Sequence, residues 1–129
     1  MIEKHKQIHY ETISRHLIMP SDLNPNHSIF GGMLIAWLDK DLYIYVSSHV
    51  KCRQMVTVSM DKVYFKNPAY LGEVIEISGA VKQVRRTSVT ALGRAVAVDP
   101  ENGQSRIIIE CEISYVAIDE HGRPRLLNR

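Results

Sequence analysis

The strongest constraint on this chain is one long helical segment that is apolar around almost its whole circumference. Across residues 32–49, apolar side chains recur three and four positions apart, as Leu34 and Leu38 illustrate, which is the period of an α-helix. Other apolar side chains fill the opposite side, and acidic and basic residues are confined to positions 39–41. A helix of this kind needs other structure wrapped around it instead of a place on the surface.

The chain around this helix is rich in β-branched residues and is divided by turn-forming residues. Five strands are predicted, at residues 11–19, 55–65, 73–81, 88–98 and 106–118. Between the first strand and the helix lies a polar loop with two prolines, which exclude a helix there. Because short turns join antiparallel neighbours, we expect the α+β class, with an antiparallel β-sheet wrapped around one long central α-helix.

The length of 129 residues is typical of one domain. We expect a flexible leader at residues 1–9, a single domain at residues 10–125 and a basic tail at residues 126–129. A chain of this size buries only about two-thirds of its surface on folding, so a second copy could usefully cover what remains.

The composition excludes several classes of protein. A hydrophobic fraction of 45% and a charged fraction of 23% are ordinary for a globular protein. A net charge of +2 is too small to indicate nucleic acid or a membrane surface as a partner. No run of residues resembles a signal peptide or a membrane span, and we expect no membrane insertion.

Cysteine and histidine usage indicates a reducing compartment and no metal. Two isolated cysteines, Cys52 and Cys111, cannot form the disulfide framework of a small secreted domain, so we expect a cytoplasmic protein. The six histidines lack the spacing of metal ligands, so we expect no metal. The sequence has no phosphate loop and no dinucleotide fingerprint, so we expect no other cofactor either.

Asp39 is the first candidate for chemistry. The residues three and four positions from it on the helix are all apolar, and an ionised carboxylate there is unfavourable unless it is paired or faces a cavity. Runs of charge are usually solvated, and this plainer interpretation is favoured for Lys40 and Asp41. For Asp39 the two interpretations are evenly balanced.

The glycine pair Gly31-Gly32 at the helix start is the second candidate. Two glycines allow a ligand to approach the first helical amides, which carry the positive end of the helix dipole and can hold a carbonyl oxygen that gains negative charge. The alternative is close packing that excludes a Cβ. Asp39 lies about two turns further along, roughly 10 Å down the axis.

Two polar segments add further candidates. The loop from Asn24 to Ser28 offers donors and acceptors just before the helix, although such residues mostly form turns and caps. The segment from Lys82 to Ser88 places three cations and two hydroxyls at a turn between strands. That cluster suits phosphate, whereas an exposed charged hairpin is the plainer interpretation.

The segment from Met19 to Gly32, followed by Trp37-Leu38-Asp39, resembles the signature of hotdog-fold acyl-CoA thioesterases and is similar to their cytosolic acyl-CoA hydrolase branch. Its specific part is Asn-Pro, four further residues and Phe-Gly-Gly, with an aspartate seven residues beyond the second glycine. The resemblance extends from about Ile13 to Pro124.

The resemblance implies a fold and an active site shared between two chains. In that family a five- or six-stranded antiparallel sheet wraps around one helix, and two domains pair so that the helix aspartate of one meets the loop asparagine of the other. Carried over, these residues are Asp39 and Asn24. The amides near Gly31 and Gly32 would polarise the thioester carbonyl, and Asp39 would act either as general base on water or as nucleophile.

The resemblance also implies a substrate. Arg86, Thr87 and Ser88 match a segment that contacts the pantetheine and nucleotide of CoA. The predicted function is hydrolysis of acyl-CoA to free acid and CoA by a homodimer or a trimer of dimers. One alternative is a non-catalytic sensor of acyl-CoA or acyl-carrier protein, which the bulky Leu42 and Tyr43 after Asp39 would permit. Another is a dehydratase of 3-hydroxyacyl thioesters, for which His27 is the candidate base.

Overall fold

The computed structural model describes residues 8–127 as one helix packed against one sheet. The elements in chain order are β1 (Glu11–Leu17), α1 (Gly31–Val50), β2 (Met55–Phe65), β3 (Val74–Val84), β4 (Ser88–Val98) and β5 (Ser105–Ala117), with a single 3-10 turn at Pro20–Asp22. The strands lie in the order β1-β3-β4-β5-β2, and every neighbouring pair is antiparallel. The predicted α+β class and its antiparallel sheet against one helix are confirmed.

The predicted and observed elements agree closely in their bounds. The largest difference is at the end of β3, which was predicted to stop at Val81 and continues to Val84. Of the predicted leader and tail, residues 1–7 and 128–129 lie outside the described residues. Leu127, just before that end, is buried, and its N–H donates to the Arg86 carbonyl at 2.9 Å.

Two adjacent glycines in the sheet allow the helix to approach closely. Gly79 of β3 and Gly93 of β4 are direct partners across the two strands. A Cβ at Gly79 would lie 2.5 Å from Leu42 Cδ2, and one at Gly93 would lie 2.6 Å from Leu42 Cδ1. Leu42 is fully buried over this pair. The helix α1 therefore packs close to the sheet because neither of these two positions carries a side chain.

The two faces of α1 have different surroundings. One face is buried against the sheet, through residues spaced by four: Leu34, Leu38, Leu42, Val46 and Val50. The opposite face includes Ala36 and Ile44, and Ile44 is 62% exposed. A single chain supplies one sheet, so only one face of α1 is covered, whereas the sequence predicts structure around the whole helix. The other face remains available for a second layer.

Asp41 is buried, which makes its interpretation as part of a solvated turn wrong. It is 8% exposed and accepts a hydrogen bond from Ser14 Oγ at 2.6 Å. His16 Nε2 lies 2.7 Å from the same carboxylate oxygen, and the His16 ring stacks on Trp37 with centroids 4.3 Å apart. The charge pattern of the helix did not reveal this environment because β1, from a distant part of the sequence, supplies the partners.

Both cysteines are free and buried. Burial, with a smaller effect of the Asp39 charge, raises the pKa of the Cys111 thiol to about 12. Within residues 8–127, no helix has the length and apolar character needed to cross a membrane.

The close approach of α1 predicts a coupled effect on stability. Gly93→Val should lower the free energy of unfolding by about 1–3 kcal/mol, because the new side chain would overlap Leu42. Leu42→Ala alone should lower it by about 2–5 kcal/mol, because it leaves a cavity. In the double variant the valine occupies that cavity, so urea unfolding should show a smaller loss than the sum. Strictly additive losses would contradict this packing.

Candidate active site

The Asp39 carboxylate is held on one side only. Its Oδ1 accepts hydrogen bonds from Thr57 Oγ1 at 2.9 Å and from the Tyr115 hydroxyl at 3.3 Å. The same Tyr115 hydroxyl donates to the Asp39 main-chain carbonyl at 2.9 Å. Among residues 8–127, no group forms a hydrogen bond with Asp39 Oδ2. One oxygen is therefore fixed, and the other is free for a ligand or water.

Asp39 lines a shallow depression on the half-exposed side of α1. The depression has a volume of about 290 Å³ and is lined by residues of α1 and β2: Ala36, Asp39, Lys40, Tyr43 and Thr57. Lys40 is the one cation among these lining residues. In a single chain this depression is open to solvent. The sequence predicts that Asp39 is either paired or faces a cavity, and the cavity that it faces is only half enclosed.

Tyr115 and Thr57 reach Asp39 from neighbouring strands and were not identified from the sequence. They are direct partners in the β2–β5 pairing, so their side chains lie on the same face of the sheet. Tyr115 is fully buried, and burial together with the negative charge of Asp39 raises the pKa of its hydroxyl. The hydroxyl therefore stays protonated and acts as a donor. Only the strand register could have revealed this pair.

Tyr43 fixes the strand that carries Thr57. Its hydroxyl donates to the Arg53 carbonyl at 2.6 Å and accepts from the Met55 N–H at 3.0 Å. Its ring meets the edge of the Tyr115 ring, with centroids 5.7 Å apart. The start of β2 is thus tied to α1 one turn after Asp39.

The two glycines at the helix start have different surroundings. A Cβ at Gly31 would lie 2.9 Å from Phe65 Cε1, so Gly31 allows an aromatic ring to pack against the helix. A Cβ at Gly32 would meet nothing within 4 Å. The amides of both residues precede the first intrahelical bonds, which Met33 and Leu34 make to the Phe30 carbonyl. A ligand can therefore approach the Gly32 amide, whereas Gly31 allows close packing, which was the other interpretation of the glycine pair.

Asn24 is occupied within its own loop. Its Oδ1 accepts from the Asn26 N–H at 2.8 Å and from the Ser28 N–H at 3.2 Å, and its Nδ2 donates to Ser28 Oγ at 3.1 Å. No hydrogen bond within residues 8–127 joins Asn24 to Asp39. His27 is exposed in the same loop and has φ of 65°. A single chain does not bring the predicted loop and helix residues together.

The residues Arg86, Thr87 and Ser88 form the turn into β4, beside the end of β5. The Thr87 carbonyl accepts from the Ala117 N–H at 2.8 Å, and Ser88 pairs with Val116, the residue after Tyr115. The Arg86 side chain is exposed and makes no ion pair with another residue in the described part of the chain. Backbone hydrogen bonds fix this turn, and the exposed Arg86 guanidinium can bind an anion beside the end of β5 that carries Tyr115.

No metal centre is apparent at this site. Within the described range 8–127, no three histidine, cysteine or acidic side chains are grouped so that they could hold an ion. The groups at Asp39 are its carboxylate and the hydroxyls of Thr57 and Tyr115.

Comparison with known proteins identifies the family. The model of the thioesterase superfamily matches residues 26–104. The acyl-CoA thioester hydrolase YciA of Escherichia coli K12 is 32% identical over 121 residues, which cover 91% of this chain and 90% of that protein.

Solved structures are similar over the same range. A hexameric thioesterase from Yersinia pestis is 31% identical, with a TM-score of 0.85 over 92% of this chain and 96% of its own. A hexameric hotdog-fold thioesterase from Campylobacter jejuni is 30% identical, with a TM-score of 0.82 over 92% of this chain and 90% of its own. With the helix, sheet and Asp39 site described above, these matches show that the chain belongs to the thioesterase superfamily and has the hotdog fold.

Proposed function

We propose that this protein hydrolyses acyl-CoA thioesters to a free carboxylic acid and CoA. The observation that carries the proposal is the Asp39 carboxylate, which has one oxygen fixed by two hydroxyls and the other open to a depression. Membership of the thioesterase superfamily and the activity in the name of the Escherichia coli relative support this substrate class.

The reaction needs a base or nucleophile and a site for the developing oxyanion. Asp39 Oδ2 either takes a proton from the water that attacks the thioester carbonyl or attacks that carbon itself. The carbonyl oxygen is held by the first amides of a helix, where Gly32 leaves space for it. Collapse of the tetrahedral intermediate breaks the carbon–sulfur bond, and the CoA thiolate leaves. In the base route the thiolate takes up the proton that Asp39 removed from water, and the free acid is formed at once. In the nucleophile route collapse leaves a mixed anhydride on Asp39, and water then hydrolyses it, which releases the acid, restores the carboxylate and supplies the proton for the thiolate.

The spacing along one helix supports a site made from two chains. Direct attack requires the amide that holds the oxygen and the attacking carboxylate to lie within about 7 Å of each other, given a 2.9 Å hydrogen bond and a 1.2 Å carbonyl bond. Gly32 and Asp39 are seven residues apart, or about 10 Å along the axis. That separation is too long for direct attack within one chain, and the resemblance implies the same pairing for either route, so we assign the amide and the loop residue Asn24 to one chain and Asp39 to its partner.

The second chain is proposed to dock along β2, which is an edge of the sheet beside Asp39. An unpaired edge strand is a template for another strand, and β2 exposes Val56 by 40% and Val58 by 54%. Pairing there would cover the Asp39 depression. The hexameric state of the similar solved thioesterases supports a trimer of such dimers.

The turn Arg86–Ser88 is proposed to contact CoA. Arg86 has no anionic partner within residues 8–127, and a guanidinium can bind two phosphate oxygens at once. Thr87 and Ser88 offer hydroxyls beside it for the polar pantetheine. The free, buried thiols of Cys52 and Cys111 are compatible with a reducing compartment, and we propose a cytoplasmic location.

Removal of the Asp39 carboxylate tests the mechanism. Asp39→Ala should lower kcat/KM about 10²- to 10⁴-fold, because no other carboxylate lines the depression. The measurement is thiol release from a panel of acyl-CoAs, followed with a thiol-reactive dye. Glu101→Ala, which removes an exposed carboxylate between β4 and β5, is the matched control and should hydrolyse the panel like the wild type.

The same panel separates the rival functions. Undiminished turnover in Asp39→Ala would refute the mechanism. Binding of acyl-CoA without thiol release by the wild-type protein would instead indicate a sensor. A new double bond in an intact 3-hydroxyacyl thioester would indicate a dehydratase.

The assembly gives an independent prediction. Light scattering at working concentration should give the mass of a dimer or of a trimer of dimers, since a single chain leaves the Asp39 depression open and Asn24 without contact to it. A stable monomer that retains full activity would exclude a shared site.

A further inference from the structure

We infer that Tyr115 is a positioning residue for Asp39 and that its buried hydroxyl makes Oδ2 the reactive oxygen of that carboxylate. The inference rests on the proposed hydrolysis and adds a residue outside the predicted site. Tyr115 lies beneath Asp39 on β5, on the sheet side of the helix.

The first step is the set of contacts made by the Tyr115 hydroxyl. It donates to the Asp39 carbonyl at 2.9 Å and lies 3.3 Å from Asp39 Oδ1. Within residues 8–127, no other residue shares a hydrogen bond with this hydroxyl. A buried hydroxyl without a hydrogen-bond partner destabilises the folded protein, so the burial of Tyr115 depends on the acceptors that Asp39 provides.

The second step is the occupancy of the carboxylate. A carboxylate oxygen has two lone-pair sites. On Oδ1 one faces the Thr57 hydroxyl at 2.9 Å, and the other faces the Tyr115 hydroxyl at 3.3 Å, whose single proton is shared with the Asp39 main-chain carbonyl. Because these two residues are cross-strand partners, the sheet register fixes both donors together. The free lone pairs lie on Oδ2, which is therefore the atom that meets water or the thioester carbon.

The third step separates positioning from packing. Tyr115 also packs against Tyr43 with its ring edge-to-face, and that contact needs no hydroxyl. Tyr115→Phe keeps the ring and removes only the oxygen. A purely structural role would thus affect stability and leave turnover by the folded protein unchanged.

The experiment compares Tyr115→Phe with the wild type by steady-state thiol release, normalised to the folded fraction from near-ultraviolet circular dichroism. We expect kcat to fall about 10- to 100-fold, because Thr57 alone then holds Oδ1, and a carboxylate fixed by one donor instead of two is misplaced for part of the time. KM should stay within about twofold, since the lost interaction orients the carboxylate and does not bind substrate.

Ser114→Ala is the matched control. Ser114 precedes Tyr115 on β5, and successive side chains of a strand point to opposite faces. Its hydroxyl bonds to that of Thr90 at 2.8 Å. Loss of this hydrogen bond, on the face of the sheet turned away from the helix, should leave kcat unchanged.

The outcomes distinguish this inference from the proposed function. If wild-type protein releases no thiol, hydrolysis itself is excluded. If the wild type is active and Asp39→Ala is not, a wild-type kcat in Tyr115→Phe overturns the positioning role alone. If activity falls only in proportion to the folded fraction, the role of Tyr115 is structural, and the positioning role is again overturned.

Discussion

The contact between Leu42 and the glycine pair Gly79-Gly93 determines how close the helix lies to the sheet. Because no side chain separates them, α1 sits near enough for the Tyr115 hydroxyl to reach a main-chain carbonyl of the helix one turn earlier. A bulkier residue at either glycine would move the helix outward and lengthen that bond. The position of Asp39 is thus a consequence of packing, and the chemistry of the site depends on the core beneath it.

Asp39 and Asp41 show how two acidic residues on one helix acquire different environments. Two positions correspond to about 200° around a helix, so the side chains point in nearly opposite directions. Asp41 is bound by Ser14 and His16 of β1, one edge of the sheet, while Asp39 is bound by Thr57 of β2, the other edge. The helix is therefore secured towards both edges. Each carboxylate has one oxygen without a hydrogen bond from residues 8–127, but Asp41 is buried, whereas Asp39 lines a depression that a substrate can enter.

Periodicity and turn chemistry were sufficient to predict the helix, the five strands and the antiparallel pairing, because these features depend on local pattern. The strand order was not predicted, since β2 pairs with β5 and β3 with β1 instead of with each other. The same information singled out Asp39, whose apolar neighbours made its charge conspicuous. The burial of Asp41 could not be predicted, since its partners come from β1, and neither could the donors Thr57 and Tyr115, which meet only through the β2–β5 register. The different surroundings of Gly31 and Gly32 likewise depend on Phe65, a residue distant in sequence.

One chain of this protein carries half of each proposed site, with Asp39 open on one side and Asn24 bonded only within its loop. Mixed assemblies of Asp39→Ala and Asn24→Ala chains test this directly, because a heterodimer would have one site with both changes and one with neither. Each variant alone should be inactive, and a random mixture should recover about a quarter of wild-type acyl-CoA hydrolysis. A mixture no more active than its two parents would contradict the shared site.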